Sequence, residues 1–247
     1  MVVRDDLERF RAANAGLSKL VIAELEGFFY ALDLSKPEAV RDALIEFVPL
    51  LVGEYGPVAA DLAVDWYEEQ RAAAGALGRF QVKPAQLILP AGDIEKAVRY
   101  SAGHLFTPDP AQTLSTLSVN VDKLVKQHGR DTMSRNAERE GVRWARVPSG
   151  SKTCAFCLTL ASRDVVYLTE KSALRRSSDG KKYHGFCDCV PTRIASIDDY
   201  PDGYDPDGMY QMYQDARGES GSGDIKDIAF ALRRLFPGSL TDGVESL

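Results

Sequence analysis

The sequence predicts an α+β protein that is mainly helical, with a helical N-terminal part, a small zinc-stapled β module and an acidic tail. Three observations lead to this prediction: helical spacing of apolar residues through the first 140 residues, short alternating segments after Gly141, and the confinement of all four cysteines to one 36-residue window. We expect domains at 1–140, 141–196 and 197–247, the last partly flexible with an amphipathic helix at 224–236.

The overall composition is typical of a soluble chain that forms a core. Of 247 residues, 45% are hydrophobic and 27% are charged, which excludes disorder throughout. The longest apolar stretches, such as 47–52, are far shorter than the ~20 residues that cross a bilayer, and no signal-peptide pattern opens the chain. We therefore expect synthesis in the cytoplasm and no membrane partner.

Three helices are predicted in the first eighty residues. Apolar residues recur at three- and four-residue steps over 4–32, as on one face of a helix. The run Ser35-Lys36-Pro37-Glu38 has the pattern of a capping box and predicts a second helix through about Val52. Glycines and a proline over 53–57 then predict a break before a third helix at 58–76.

Two further helices follow a connector at 79–92. Asp93 is expected to cap a helix over 94–105, and an apolar stripe predicts one long helix, or two collinear ones, over 111–140. His104 and His128 lie near predicted helix ends or weak points, where a lone histidine usually packs or caps.

The pattern changes after residue 141. Alternating segments at 142–147, 165–168 and 190–194 predict strands, with the cysteines in the turns between them. Residues 202–208 predict turns and not a calcium loop, because the spaced series of oxygen ligands that ends in glutamate is absent. From Ser196 to Asp224 no helical period is present, and a short amphipathic helix follows. Its apolar face either docks back on the helical domain or binds a partner groove; this face comprises Ile225, Ile228, Leu232 and Phe236.

The cysteines form the most informative pattern. A CxxC motif is followed 26 residues later by HxxCxC, and two short-spaced ligand pairs on separate turns are typical of a tetrahedral zinc site. A site filled by protein ligands leaves no place for a reactive water, which favours a structural ion. Five candidates compete for four places: Cys154, Cys157, His184, Cys187 and Cys189.

Other uses of these residues remain open or are disfavoured. Two disulfides, or free thiols, would account for the same four cysteines. A redox CxxC lacks its thioredoxin-like βαβ context, and a zinc deaminase would need an HxE motif before the CxxC. No nucleophile elbow of the Gly-x-Ser-x-Gly kind is present, so we predict no catalytic residues.

Charge is segregated along the chain, with net charges of −5 over 1–107, +6 over 108–197 and −7 over 198–247. A basic segment can face nucleic acid, an acidic partner or the chain's own tail. Seven bases on and after the long helix form either a DNA-neutralising surface or a solvated helix face: Lys123, Lys126, Arg130, Arg135, Arg139, Arg143 and Arg146. Five bases between the ligand pairs are the better candidates for contact with DNA or another partner: Lys171, Arg175, Arg176, Lys181 and Lys182.

The residues around the cysteines resemble a known family signature. Three runs in order along the chain resemble the signature of the MuF-like minor head proteins of tailed phages. They are Trp144-Ala145-Arg146-Val147-Pro148, Lys152-Thr153-Cys154-Ala155-Phe156-Cys157-Leu158 and Tyr183-His184-Gly185-Phe186-Cys187-Asp188-Cys189-Val190. The resemblance covers about residues 142–194, and the stretch 32–67 is similar to versions from actinobacteriophages.

This resemblance implies a low-copy structural protein of the virion, at the capsid interior or portal vertex. It implies the portal protein as partner, with the major capsid protein, a scaffolding protein and DNA as further candidates. The five bases between the ligand pairs are then candidates for contact with DNA or with the portal. Two other functions stay open: a head maturation protease, and a zinc-stabilised nucleic-acid-binding protein outside any virion.

Overall fold

The computed structural model describes residues 3–85, 91–149, 152–162, 187 and 189–244. Two strands, β1 (Arg143–Val147) and β2 (Val190–Ile194), form an antiparallel sheet. The helices are α1 (Arg4–Tyr30), α2 (Pro37–Ala73), α3 (Ala91–Ala102), α4 (Gln112–Glu140), α5 (Ala155–Ala161), α6 (Pro206–Ser220) and α7 (Ile225–Leu235). The prediction of a mainly helical α+β protein is therefore confirmed.

The main hydrophobic core lies between the first four helices. α2 and α4 pack along each other, while α1 and α3 pack against both. A buried side chain of this kind contributes roughly 1.5 to 3 kcal/mol relative to exposure, so this cluster is the largest source of stability in the helical part. Its buried members include Val21, Leu25, Phe29, Leu44, Val48, Leu51, Val98, Leu117, Val121 and Val125.

Two glycines let α2 and α4 approach closely. A Cβ on Gly129 would lie 2.7 Å from the carbonyl oxygen of Ala59, and a Cβ on Gly56 would lie 2.6 Å from the ring of His128. His128 is itself buried in this interface. The two glycines, one of them in the predicted break at 53–57, therefore lie where α2 and α4 are in close contact.

The predicted break in α2 is wrong, because α2 continues through Pro49 and Pro57. Both prolines lie on the exposed side of the helix. There, water can hydrate a carbonyl that lacks its helical N–H partner, and the opposite side stays packed. On that buried side, Ala59, Ala60 and Ala63 pack against the neighbouring helices, so the helix keeps its core contacts past both prolines.

Two predicted helix starts also differ from the structure. α2 begins at Pro37 without a side-chain cap, and the hydroxyl of Ser35 instead donates a 2.6 Å bond to Asp33. Likewise Asp93 lies inside the first turn of α3, where it pairs with Lys96 at 3.2 Å. In both places the side chain that was expected to cap the helix bonds a nearby charged side chain instead, Asp33 in the first case and Lys96 in the second.

Within the described part of the chain, α2 is also the helix whose length and apolar composition would allow it to cross a membrane. It is a central helix of the packed core, and 39% of its most apolar 18-residue window is buried. The buried part of this window packs against three other helices, as the apolar face of an amphipathic core helix does.

The connector after α2 is held along α4 by side-chain hydrogen bonds. Asn136 bonds both backbone groups of Lys83, accepting from its N–H at 3.1 Å and donating to its carbonyl at 2.8 Å. Thr132, one turn earlier on α4, accepts from the N–H of Ala85 at 2.9 Å. These bonds satisfy backbone groups that no strand partner reaches.

The sheet joins the helical core. In its register Arg146 pairs with Pro191 and Val147 with Val190. A second buried cluster combines residues from α1, α2, α4 and both strands, so it crosses the predicted boundary at 140/141; its members include Leu7, Trp66, Met133, Ala145, Val190 and Ile194. The predicted strand at 165–168 lies outside the described residues.

A buried ionic group ties β2 to α2 and α4. Arg193 donates two hydrogen bonds to Glu140, at 2.7 and 2.9 Å, and Arg71 pairs with the same carboxylate. Tyr67 donates to it as well, at 2.6 Å. A carboxylate surrounded by two guanidinium groups is well compensated for its loss of water.

The expectation that no helix lies between residues 196 and 224 is wrong, because α6 spans Pro206–Ser220. Asp205 caps this helix by accepting from the N–H of Gly208 at 2.9 Å, and Gly221 ends it with φ of 61°. The Asp-Pro and Gly signals that suggested turns are thus the start and stop signals of a helix.

Candidate metal centre

The first cysteine pair is presented by the start of α5. Cys154 is the residue before the helix, and its sulfur accepts a hydrogen bond from the N–H of Cys157 at 3.2 Å. The expectation that both cysteines lie in turns is therefore wrong for Cys157, which lies in the first helical turn. Sulfur serves here as the capping acceptor that an oxygen usually supplies, so spacing alone did not reveal the helix.

The C-terminal segment holds this helix start in place. Thr241 donates its N–H to the carbonyl of Thr153 at 2.9 Å, and Asp242 accepts from the N–H of Ala155 at 2.8 Å. Arg233, from the last turn of α7, pairs with Asp242 at 2.8 Å. Residues 241–242 thus position the CxxC segment from the far end of the chain, which no local pattern had predicted.

Three cysteines from both motifs converge. The ligand atoms of Cys157, Cys187 and Cys189 all lie within 4.8 Å of one another, and all three residues are buried. The sulfurs of Cys157 and Cys187 are 3.4 Å apart. Cys154 packs against the same cluster but is only partly buried.

The thiols of Cys157 and Cys189 are poor acids in their present surroundings. The pKa of Cys157 is raised well above its usual range, first by its hydrogen bond with Cys154, then by those with Cys187 and Cys189, and by burial. For Cys189 the hydrogen bond with Cys157 lowers the pKa, but Cys187 and burial outweigh it and the net direction is upward. The cluster therefore resists carrying several negative charges unless a cation compensates them.

The geometry suits a thiolate-bound metal. Zinc–sulfur bonds of about 2.3 Å at tetrahedral angles place neighbouring sulfurs about 3.8 Å apart, close to the spacing seen here. A disulfide would need about 2.05 Å, and all four cysteines are free thiols. Three buried cysteines therefore lie within metal-binding distance of one another.

Several predicted site residues lie outside the described part of the chain. These are His184 and the five bases of the loop between the ligand pairs, Lys171, Arg175, Arg176, Lys181 and Lys182. Their proposed roles stay predictions. The fourth ligand, Cys154 or His184, is likewise left open by the geometry.

The predicted partner-binding face of α7 packs within the chain. Ile228 and Leu232 are fully buried against α5 and α6, while Ile225 and Phe236 are partly buried. Its main contacts are with α5 and α6, whereas docking on the helical domain or in a partner groove was expected.

Two basic residues that were predicted to lie on a surface are buried in the structure. Arg130, on α4, is buried and lines a cavity of about 50 Å³ that Cys187 and Cys189 also line. Arg146, on β1, is 1% exposed. A solvated face is therefore the wrong interpretation for these two, although Lys123 and Arg135 are exposed as expected.

Comparison with known proteins identifies the family. A family model described as VG15 protein matches residues 1–216, which covers α1 to α5, both strands and most of α6. No curated protein and no solved structure is significantly similar to the chain. The chain therefore belongs to the VG15 protein family, a membership that indicates a phage virion-associated protein.

Proposed function

We propose that this chain is a structural minor head protein of a tailed phage, of the MuF-like kind, which associates with the portal and is packaged in the capsid. The VG15 match over residues 1–216 is the observation that carries the proposal. The cysteine motifs between residues 142 and 194, which resemble the MuF-like signature, support it independently. The protein would be made in the host cytoplasm and reside at the capsid interior or portal vertex.

The proposed partners follow from this assignment. The portal protein is the principal partner, and the major capsid or scaffolding protein and DNA are further ones. The basic segment at 108–197, with a net charge of +6, supports a contact with an acidic surface or with DNA.

Co-purification from infected cells tests the portal contact. A tagged chain expressed during infection should capture the portal protein, and mass spectrometry of purified particles should find the chain in the virion. A chain absent from particles would overturn the proposal. Cleavage of capsid protein that depends on one serine or histidine would instead favour the protease, and salt-sensitive DNA binding without portal capture would favour the nucleic-acid-binding protein.

We further propose that the cysteine cluster holds one structural zinc ion. Cys157, Cys187 and Cys189 would supply three ligands, and Cys154 or His184 the fourth. The ion would let the buried thiols deprotonate and would link the start of α5 to the segment before β2.

Metal analysis of protein purified under reducing conditions tests this site. We expect about one zinc per chain, and loss of that zinc in Cys157→Ser. Cobalt-loaded Cys154→Ser and His184→Ala then form a matched pair, because only the variant that removes a ligand should change the cobalt absorption spectrum. Less than about half an equivalent of zinc in folded wild-type protein would contradict the proposal.

A further inference from the structure

Two arginine side chains are buried around the cysteine cluster. Arg146 is 1% exposed and Arg130 is 7% exposed, so both guanidinium groups are almost entirely removed from water. Arginine keeps its charge in proteins, and an arginine buried this deeply requires negative charge close by.

Strand register directs Arg146 toward the cysteines. Arg146 lies opposite Pro191 in the antiparallel pair, and opposite residues point to the same face of a sheet. Cys189 is two residues before Pro191, and side chains two residues apart along an extended segment share a face. Cys189 is therefore the diagonal neighbour of Arg146, at a distance that a long side chain spans.

The guanidinium of Arg146 and the sulfur of Cys189 are close enough for a direct Coulombic interaction. Arg130 approaches from the opposite element, since it lines the cavity between α1 and α4 together with Cys187 and Cys189. The cluster is thus flanked by one buried cation from β1 and one from α4.

The charge of a metal–thiolate centre explains why two cations lie there. A divalent ion bound by three or four thiolates leaves one or two excess negative charges, which a buried site must balance.

We propose that Arg146 and Arg130 are positioning residues of the metal centre, whose buried charges balance a metal–thiolate cluster and strengthen its hold on the ion. This inference rests on the zinc site proposed above. It also means that these two bases serve the metal centre and not a DNA-binding surface, in contrast to the exposed bases of the same segment.

The test compares three variants of the full chain. Arg146→Met removes the charge, Arg146→Lys keeps it, and Arg193→Met is the matched control, since Arg193 is a buried arginine on the neighbouring strand whose charge is taken up by Glu140 and Asp199. Zinc affinity is measured by competition with a chromogenic chelator, and the cobalt-loaded proteins are compared by their sulfur-to-metal charge-transfer absorption.

We expect Arg146→Met to bind zinc about ten- to a hundredfold more weakly, the usual effect of losing a group that supports metal ligands. Its charge-transfer band should move to longer wavelength, because thiolates without a nearby cation give up electrons more easily. Arg146→Lys should recover most of both properties, and Arg193→Met should retain wild-type affinity per folded molecule.

Wild-type affinity and an unshifted band in folded Arg146→Met would overturn the inference and leave the zinc site standing. If wild-type protein binds neither zinc nor cobalt, the metal site and this inference fall together. Should Arg146→Met not fold, Arg130→Met and Arg130→Lys provide the same comparison from the other side of the cluster, with the same expected and contradicting results.

Discussion

Glu140 is the residue on which the junction of helices and sheet depends most. Its carboxylate accepts from Arg193 on β2 and Tyr67 on α2, pairs with Arg71, and is mostly buried. The local sequence did not predict this role, because Tyr67, Arg71 and Arg193 are far from Glu140 in sequence and only the fold brings them together.

Glu140→Gln should therefore destabilise the protein strongly. The substitution leaves two buried guanidinium groups short of negative charge, which typically costs about 3 to 5 kcal/mol. Urea unfolding measures the change. The control is Glu69→Gln, whose partner Arg9 lies 3.0 Å away in a pair more than half exposed, and which should change the free energy of unfolding by less than about 1 kcal/mol. Equal effects of the two substitutions would contradict this role of Glu140.

Tyr67 should make the free energy of unfolding fall at alkaline pH. Burial raises its pKa to about 12, whereas an unfolded tyrosine titrates near about 10. The neutral phenol thus contributes stability that is complete below about pH 10 and is lost as the pH rises toward about 12. Across that window we expect wild-type protein to lose roughly 2 to 3 kcal/mol more than Tyr67→Phe, measured by urea unfolding at each pH. Parallel pH profiles would show that Tyr67 is not responsible.

The elements show which local patterns are reliable. The spacing of apolar residues correctly predicted α1, α4 and α7, because a packed helix face must repeat at the helical period. Glycine and proline wrongly predicted a break in α2 and turns at the start of α6. Their effect depends on which side of a helix faces a neighbour and on where its first turn begins. Spacing also indicated the cysteines of the candidate site but not the two buried arginines.

Substitutions of glycine separate packing from helix propensity. Alanine normally stabilises a helix by up to about 1 kcal/mol relative to glycine. Gly129→Ala should nevertheless destabilise the protein, because its Cβ would lie 2.7 Å from the backbone of Ala59, whereas Gly53→Ala in α2 meets no atom within 4 Å and should stabilise. Thermal melting of both variants gives the sign of each effect. A stabilised Gly129→Ala would show that α2 and α4 can move apart at little cost.

At the scale of the whole molecule, the sheet and the cysteines do not form an isolated unit. The sheet shares a buried cluster with α1, α2 and α4, and the start of α5 is bonded to residues 241–242. Burial against the helices therefore already holds this region, and the proposed zinc would add to that contribution.

Removal of metal should consequently be a local event. With a strong chelator under reducing conditions we expect a lower melting temperature but retention of most far-UV helical signal, because the main core between α1 and α4 contains no cysteine. Limited proteolysis should then show new cleavage near the cysteines. Loss of more than about half of the helical signal on chelation would mean that the metal centre supports the whole fold.

The sequence by itself determined the helical class, the short strands that flank the cysteines, and the pair of motifs that supply closely spaced sulfurs. Each of these follows from local periodicity or spacing, which are properties of the sequence alone. Only the tertiary structure decided that α2 continues past its prolines, that Arg130 and Arg146 are buried beside the cysteines, and that the C-terminal segment holds the start of α5. Those features depend on which distant side chains exclude water together, and burial is a property of the assembled core rather than of any stretch of sequence.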